Sequence, residues 1–261
     1  MKAILYRIIA AFCFFTRLPF WRLANVPKEY YERVVPLWPL VGYLTAGVMV
    51  MAFVLTPSLP LAVRVLLALV ARLLVTGAIH EDGFADFCDG FGGGTNRQRI
   101  LEIMKDSHIG TYGVLGLVLY YLLFYNLIVD MVVQLEHQLL LVSLLLLAAD
   151  VFCKWVASTI LYSLSYARKE EEAKSRVVYA VVPLVEKVVS FVIAMLPLGF
   201  FCSISEKAVL PLLIAAVAAL LTAFLLFYYM QKRIQGYTGD CCGATFIICE
   251  VVFYLFFSLG G

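Results

Sequence analysis

Leu139-Leu140-Leu141-Val142-Ser143-Leu144-Leu145-Leu146-Leu147-Ala148-Ala149 decides the fold of this chain. A lipid-facing strand would alternate apolar and polar residues, and this run does not. In hydrocarbon, backbone groups must find partners within the segment, which leaves the α-helix. The run extends over 139–162, longer than the roughly 20 residues that a spanning helix needs.

Working outward, six more apolar runs appear at 35–56, 61–79, 110–133, 178–200, 208–230 and 243–259. The chain is 63% hydrophobic and 15% charged, with a mean hydropathy of +0.94. These values exclude an ordinary soluble domain. The expected fold is all-α, a polytopic integral membrane helical bundle of about seven transmembrane helices. It forms one membrane-embedded catalytic domain over 1–261, with 80–109 as its acidic segment. Segment 1–34 carries Lys2, Arg7 and Arg17 around a very short apolar core with no small-residue cleavage site. It reads as an interfacial amphipathic helix, not as a signal peptide. The polar patch 167–174 reads as a solvated helix end or loop. The seven cysteines form no C-x-x-C pair, which argues against a disulfide framework or a zinc site.

Lysine and arginine set the expected orientation. Fifteen of the twenty fall in 1–34, 80–109, 163–177 and 231–242, and the opposite loops carry only Lys207. By the positive-inside rule these four segments face the cytoplasm. The expected location is the cytoplasmic (inner) membrane.

His80-Glu81-Asp82-Gly83-Phe84-Ala85-Asp86-Phe87-Cys88-Asp89-Gly90-Phe91-Gly92-Gly93-Gly94 is where chemistry is expected. Acids beside a bilayer are costly and usually functional. Asp82, Asp86 and Asp89 are spaced i, i+4, i+7, one face of a helix. Three like charges there call for a cation, and Mg²⁺ takes carboxylates, waters and phosphate oxygens. Gly83, Gly90 and Gly93 suit close backbone approach to a phosphate. His80 is either a base, a phosphate donor, a ligand or a hydrogen-bonded structural residue. Glu81 points about 100° from Asp82, towards water.

Further on, Lys105, Asp106 and Ser107 stand where an amphipathic helix meets the third span. Lys105 suits a phosphate oxygen as a point charge. Thr238-Gly239-Asp240 opens the last span; Asp240 is either an anion-site residue or an N-cap. Glu250 lies deep in that span, and Asp150 with Lys154 forms an i, i+4 pair that can neutralise itself. Arg72 either faces the site or pairs with an acid.

Three blocks carry a resemblance: His80 to Asp86 with Asp89-Gly90; Met104-Lys105-Asp106-Ser107-His108-Ile109-Gly110-Thr111-Tyr112-Gly113; and Thr238-Gly239-Asp240 with Gly243-Ala244. With Thr16-Arg17-Leu18-Pro19 and Pro39-Leu40-Val41-Gly42, they resemble the cobalamin synthase family, adenosylcobinamide-GDP ribazoletransferase. The resemblance implies that adenosylcobinamide-GDP and α-ribazole, or its 5′-phosphate, are joined with release of GMP and with Mg²⁺ as cofactor. It implies Asp82, Asp86 and Asp89 as metal ligands, and Lys105 or His80 as charge stabilisers. Asp106 or Asp240 would take the proton. Gly83, Gly90, Gly93, Ser107, Thr238 and Gly239 would contact the substrate. The chain departs from the family pattern at Glu81, Cys88, His108 and Tyr237. The partners expected are the two small-molecule substrates and the lipid bilayer, with no nucleic acid and with a homo-oligomer left open. A CDP-alcohol phosphatidyltransferase-like enzyme is the alternative, although Asp86 stands where its Arg is expected. A transporter is the other, although most acids here cluster at one face.

Overall fold

The computed structural model describes residues 2–168 and 182–260. Most of the 167–174 patch and the start of the run at 178 lie outside them. The described residues form eleven α-helices: α1 Lys2–Phe15, α2 Trp38–Val54, α3 Leu61–Thr76, α4 Ile79–Gly93, α5 Arg97–Ile103, α6 Thr111–Gln134, α7 Leu139–Ser158, α8 Ile160–Ser163, α9 Leu184–Ile204, α10 Val209–Ile234 and α11 Gly239–Gly260. The only β pairing among them is an isolated parallel bridge between Tyr166 and Tyr237.

Six helical stretches are long and apolar enough to cross a membrane: Val35–Val54, Thr111–Gln134, Leu139–Ser163, Leu184–Ile204, Val209–Ile234 and Gly239–Gly260. The second expected span is different. Helix α3 stops at Thr76, and α4 leaves it at 89°. Sixteen residues rise about 24 Å, short of the roughly 30 Å hydrocarbon core. The α3–α4 pair makes a seventh crossing only when it is counted as one bent span.

The corner has a local cause. Gly77 takes a left-handed conformation (φ 62°) and ends α3, its N–H bonded to the Leu73 carbonyl at 2.8 Å. Ala78 follows in the same region (φ 59°), at a cost of about 1–2 kcal/mol for a residue with a Cβ. Its carbonyl then accepts the Asp82 N–H at 2.8 Å and starts α4. Arg17 packs against Gly77, where a side chain would collide with it, and the Arg17 N–H bonds Val75 O at 2.7 Å. Within the 80–109 segment, residues 80–93 belong to helix α4, turned across one end of the bundle, and 97–103 form the short α5.

That end also gathers other loops. Arg97 donates to Ile234 O (2.9 Å) and Ala167 O (2.6 Å), and Arg233 donates to Gly94 O (2.7 Å). Ala167 N–H donates to Tyr237 O (2.8 Å), and Tyr237 N–H donates to Ser165 O (3.0 Å). Three of the basic segments thus meet at one end. Helix α1 is anchored there too: Arg7 holds Glu186 of α9 with two bonds of 2.8 and 2.6 Å.

The centre of the bundle holds an ion network instead of plain hydrocarbon. Arg72 on α3 donates to both oxygens of Glu250 on α11 (2.6 and 2.8 Å) and to Tyr120 Oη on α6 (2.6 Å). It also lies 3.6 Å from Asp150 on α7. Lys154 pairs with Asp150 and donates to Thr45 Oγ1 of α2 at 2.9 Å. All four ionic side chains are buried. Charges this deep persist only when paired, and the pairing stitches five helices together. Arg72 and Glu250 are each other's partners, and Asp150 with Lys154 forms the self-neutralising pair read from the sequence.

Candidate active site

The site is built where α4 crosses α11, and glycine makes the crossing close. A Cβ on Gly83 would stand 3.0 Å from Asp240 Cα. A Cβ on Gly243 would stand 3.0 Å from the His80 carbonyl oxygen. Only residues without side chains let these two backbones approach so far. The crossing sets Asp82 beside the first turn of α11, which carries Asp240.

Two cavities open on either side. The first, of about 190 Å³, is lined by Phe15, Trp38, His80 and Tyr166, with Asp82, Asp240 and Arg168 also on its wall. The second is a wider depression of about 590 Å³ lined by Thr16, Arg17, Trp21 and Thr76, and again by Asp82. Asp82 is exposed and belongs to both. Asp86 lies one turn further along α4 and is half-buried, as is Asp240. Thr238 is buried, its hydroxyl 3.4 Å from an Asp240 carboxylate oxygen, and Gly239 lines the first cavity. Tyr166 is half-buried; burial pushes its phenol up, against the opposing influence of Arg168, so it stays protonated.

His80 is 3% exposed and boxed by aromatic rings, 5.0 Å from Phe246 and 5.2 Å from Trp38 between centroids. Its Nε2 has no hydrogen-bond partner among the described residues. Glu81 does not face water. It is buried, with one oxygen 3.4 Å from Tyr121 Oη.

The expected carboxylate trio is not what forms. Asp89 is buried and accepts the backbone N–H groups of Gly110 (2.7 Å) and Gly113 (2.9 Å) at the start of α6. Both oxygens are committed to donors that a helix leaves unpaired at its N-terminus. Asp89 therefore locks α4 to α6. Among the described residues no three His, Cys, Asp or Glu side chains gather where they could hold a metal ion. Asp82 and Asp240 line one cavity, and a pair of carboxylates suits Mg²⁺. That ion usually takes one or two carboxylates and completes its shell with water and substrate phosphate.

The glycines of α4 expected to approach a phosphate sit as follows. Gly83 and Gly90 lie inside the helix, so their N–H groups serve its ladder. Gly83 packs on Asp240, and Gly90 packs on Met104. Gly93 is exposed at the end of α4, beside Ile103. Lys105, Asp106 and Ser107 are exposed on the turn between α5 and α6 and line neither cavity. Asp106 instead accepts the His108 backbone N–H (3.0 Å) and faces its ring nitrogen (2.7 Å). Sequence reading missed Arg17, Tyr166, Arg168 and the aromatic wall. Only Arg17 carried a signal, in the Thr16-Arg17-Leu18-Pro19 segment.

Comparison with known proteins identifies the family. The family model for cobalamin-5-phosphate synthase (CobS) matches residues 7–258. The adenosylcobinamide-GDP ribazoletransferase of Leptospira interrogans is 32% identical over 250 residues, covering 95% of this chain and 93% of the relative. That of Shewanella sp. strain W3-18-1 is 32% identical, covering 97% and 94%. That of Shewanella amazonensis is 34% identical, covering 95% and 92%. No solved structure matches the chain.

Proposed function

The chain belongs to the cobalamin-5-phosphate synthase family, and from that premise we propose that the α4–α11 crossing is a Mg²⁺-assisted phosphoryl-transfer centre facing the cytoplasm. The protein is a membrane-embedded transferase of cobalamin biosynthesis, and it catalyses the last step of nucleotide-loop assembly. In that step the ribose 3′-hydroxyl of α-ribazole attacks the phosphorus next to cobinamide in adenosylcobinamide-GDP. A new P–O bond forms, the bond to the GMP oxygen breaks, and the hydroxyl proton leaves. α-Ribazole 5′-phosphate is the alternative acceptor.

One observation carries the assignment. Asp82 and Asp240, from helices 158 positions apart in sequence, line one cavity beside a glycine-to-backbone crossing. When bound there, Mg²⁺ would neutralise diphosphate charge, the main demand of a reaction run by positioning and electrostatics. Asp82 and Asp86 would hold the metal from α4. Asp240 would complete its shell or accept the proton, on a helix start whose free N–H groups favour an anion. Arg17 and Arg168, on the walls of the two cavities, would pair with phosphate oxygens. The dominance of Lys and Arg at this end supports the cytoplasmic side of the inner membrane.

The test is GMP release by detergent-solubilised protein given both substrates and Mg²⁺. Asp82→Asn should lower kcat at least about 100-fold, or about 2.7 kcal/mol in the barrier. Turnover at the wild-type rate would reject the acidic site.

A further inference from the structure

We infer that the smaller cavity is the seat of the acceptor's base, taking the flat apolar ring of a benzimidazole nucleoside and refusing the guanine of the other substrate. The inference rests on the function proposed above, which supplies the two nucleosides.

Its deep wall is aromatic and rigid. Phe15 and Trp38 stack with centroids 5.0 Å apart and planes at 3°, and they are 5% and 1% exposed. Tyr166 stands edge-on to Tyr237 at 5.5 Å across the mouth segment. The volume of the cavity is about 190 Å³. This accommodates one bicyclic ring and excludes a corrin macrocycle.

Polarity then separates the two bases. Guanine presents an amine, a ring N–H, a carbonyl and a free ring nitrogen. Every such group buried without a partner is penalised. The deeply buried lining is Phe15, Val35, Trp38, His80, Cys242 and Gly243, and its polar nitrogens are Trp38 Nε1 and the His80 ring. Trp38 Nε1 and His80 Nε2 have no hydrogen-bond partner among the described residues. A benzimidazole riboside has one free ring nitrogen and needs only one such donor. Asp82, Asp240 and Arg168 sit on the same cavity's wall. A base held inside therefore presents its ribose to the acids, where the 3′-hydroxyl is needed.

Gly239 offers the cleanest perturbation. It lines the cavity, and a Cβ there meets nothing within 4 Å among the described residues. Gly239→Leu should obstruct the cavity without straining the protein. The expected result is a rise of about tenfold or more in KM for α-ribazole, with KM for adenosylcobinamide-GDP within about twofold of wild type. Base–aromatic stacking is of that order, so Tyr166→Ala should shift the same constant and Tyr166→Phe should restore it. With the unmodified enzyme, free benzimidazole should inhibit competitively against α-ribazole only.

A KM change confined to adenosylcobinamide-GDP, or benzimidazole competing with that substrate, would place guanine in the cavity. Unchanged constants for both would remove any base from it. Equilibrium dialysis of α-ribazole alone against Asp82→Asn protein separates this inference from the functional reading. Retained binding that Gly239→Leu weakens supports the base site, whatever becomes of turnover. Binding that Gly239→Leu leaves untouched overturns it.

Discussion

Replacing Asp89 separates a structural lock from a metal ligand. Its carboxylate takes the N–H groups of Gly110 and Gly113 at 2.7 and 2.9 Å. Hydrogen bonds to a charged group contribute about 1.5–3 kcal/mol each, and a buried donor left bare costs about 1–3 kcal/mol. Gly113 is buried and Gly110 is half-buried, so water can replace the partner of Gly110 more readily. Asp89→Ala should therefore cost about 2–4 kcal/mol. For a chain of this size that is a fall in Tm of about 5–15 °C. Asp89→Asn keeps one acceptor oxygen and should cost about half as much. The assay is thermal unfolding in detergent, paired with the Mg²⁺ dependence of GMP release. Asp89→Asn should lower Tm yet leave the Mg²⁺ concentration for half-maximal rate within about twofold of wild type. An unchanged Tm with a large rise in that concentration would refute the lock and return Asp89 to the metal.

Arg72→Ala should destabilise the bundle by about 3–5 kcal/mol, because it strands the buried Glu250; a wild-type Tm in detergent would refute that pairing. The bonds from His108 hold the exposed Asp106 carboxyl below its ordinary value. This depressed group stabilises its turn above the unfolded pKa, and the contribution fades as pH falls through the folded pKa. An NMR titration should find the Asp106 midpoint below that of free aspartate, and a midpoint at or above it would contradict the contact. Cysteines introduced at Gln98 and Lys207 should react with impermeant reagents from opposite sides of sealed vesicles; labelling from one side would break the orientation.

The spans were legible because each is a long apolar run, and lipid leaves helices as the only solution. The corner at Gly77-Ala78 was not. Hydropathy continues through it, and only two left-handed residues turn the chain. The same limit explains Asp89. The i, i+4, i+7 pattern correctly puts the three acids on one helix face, but periodicity does not register the backbone N–H groups that another helix brings to that face. Glu81 misled for a related reason: a helical wheel assumes one wet side, whereas α4 is packed by α6 and α11. Arg72 and Glu250 lie 178 positions apart, so their partnership arises only from tertiary packing. The aromatic cavity gave no signal either, since Phe15, Trp38 and Tyr166 lie in three separate segments that only the fold brings together.

The fold and the site share one device. The central ion network ties α3 and α11 through Arg72 and Glu250. The glycine crossing sets α4 against that same α11. Asp82 and Asp240 thus come from two helices, each held by contacts outside the site. Such support keeps a phosphoryl-transfer centre in register.

The most direct test is electron paramagnetic resonance of Mn²⁺ in place of Mg²⁺, with adenosylcobinamide-GDP present. The wild-type protein should give a bound Mn²⁺ signal with couplings to substrate phosphorus, and Asp82→Asn should lose it while keeping the wild-type Tm. The same signal, with the same affinity, from an Asp82→Asn/Asp240→Asn protein would contradict a metal–diphosphate site at this helix crossing.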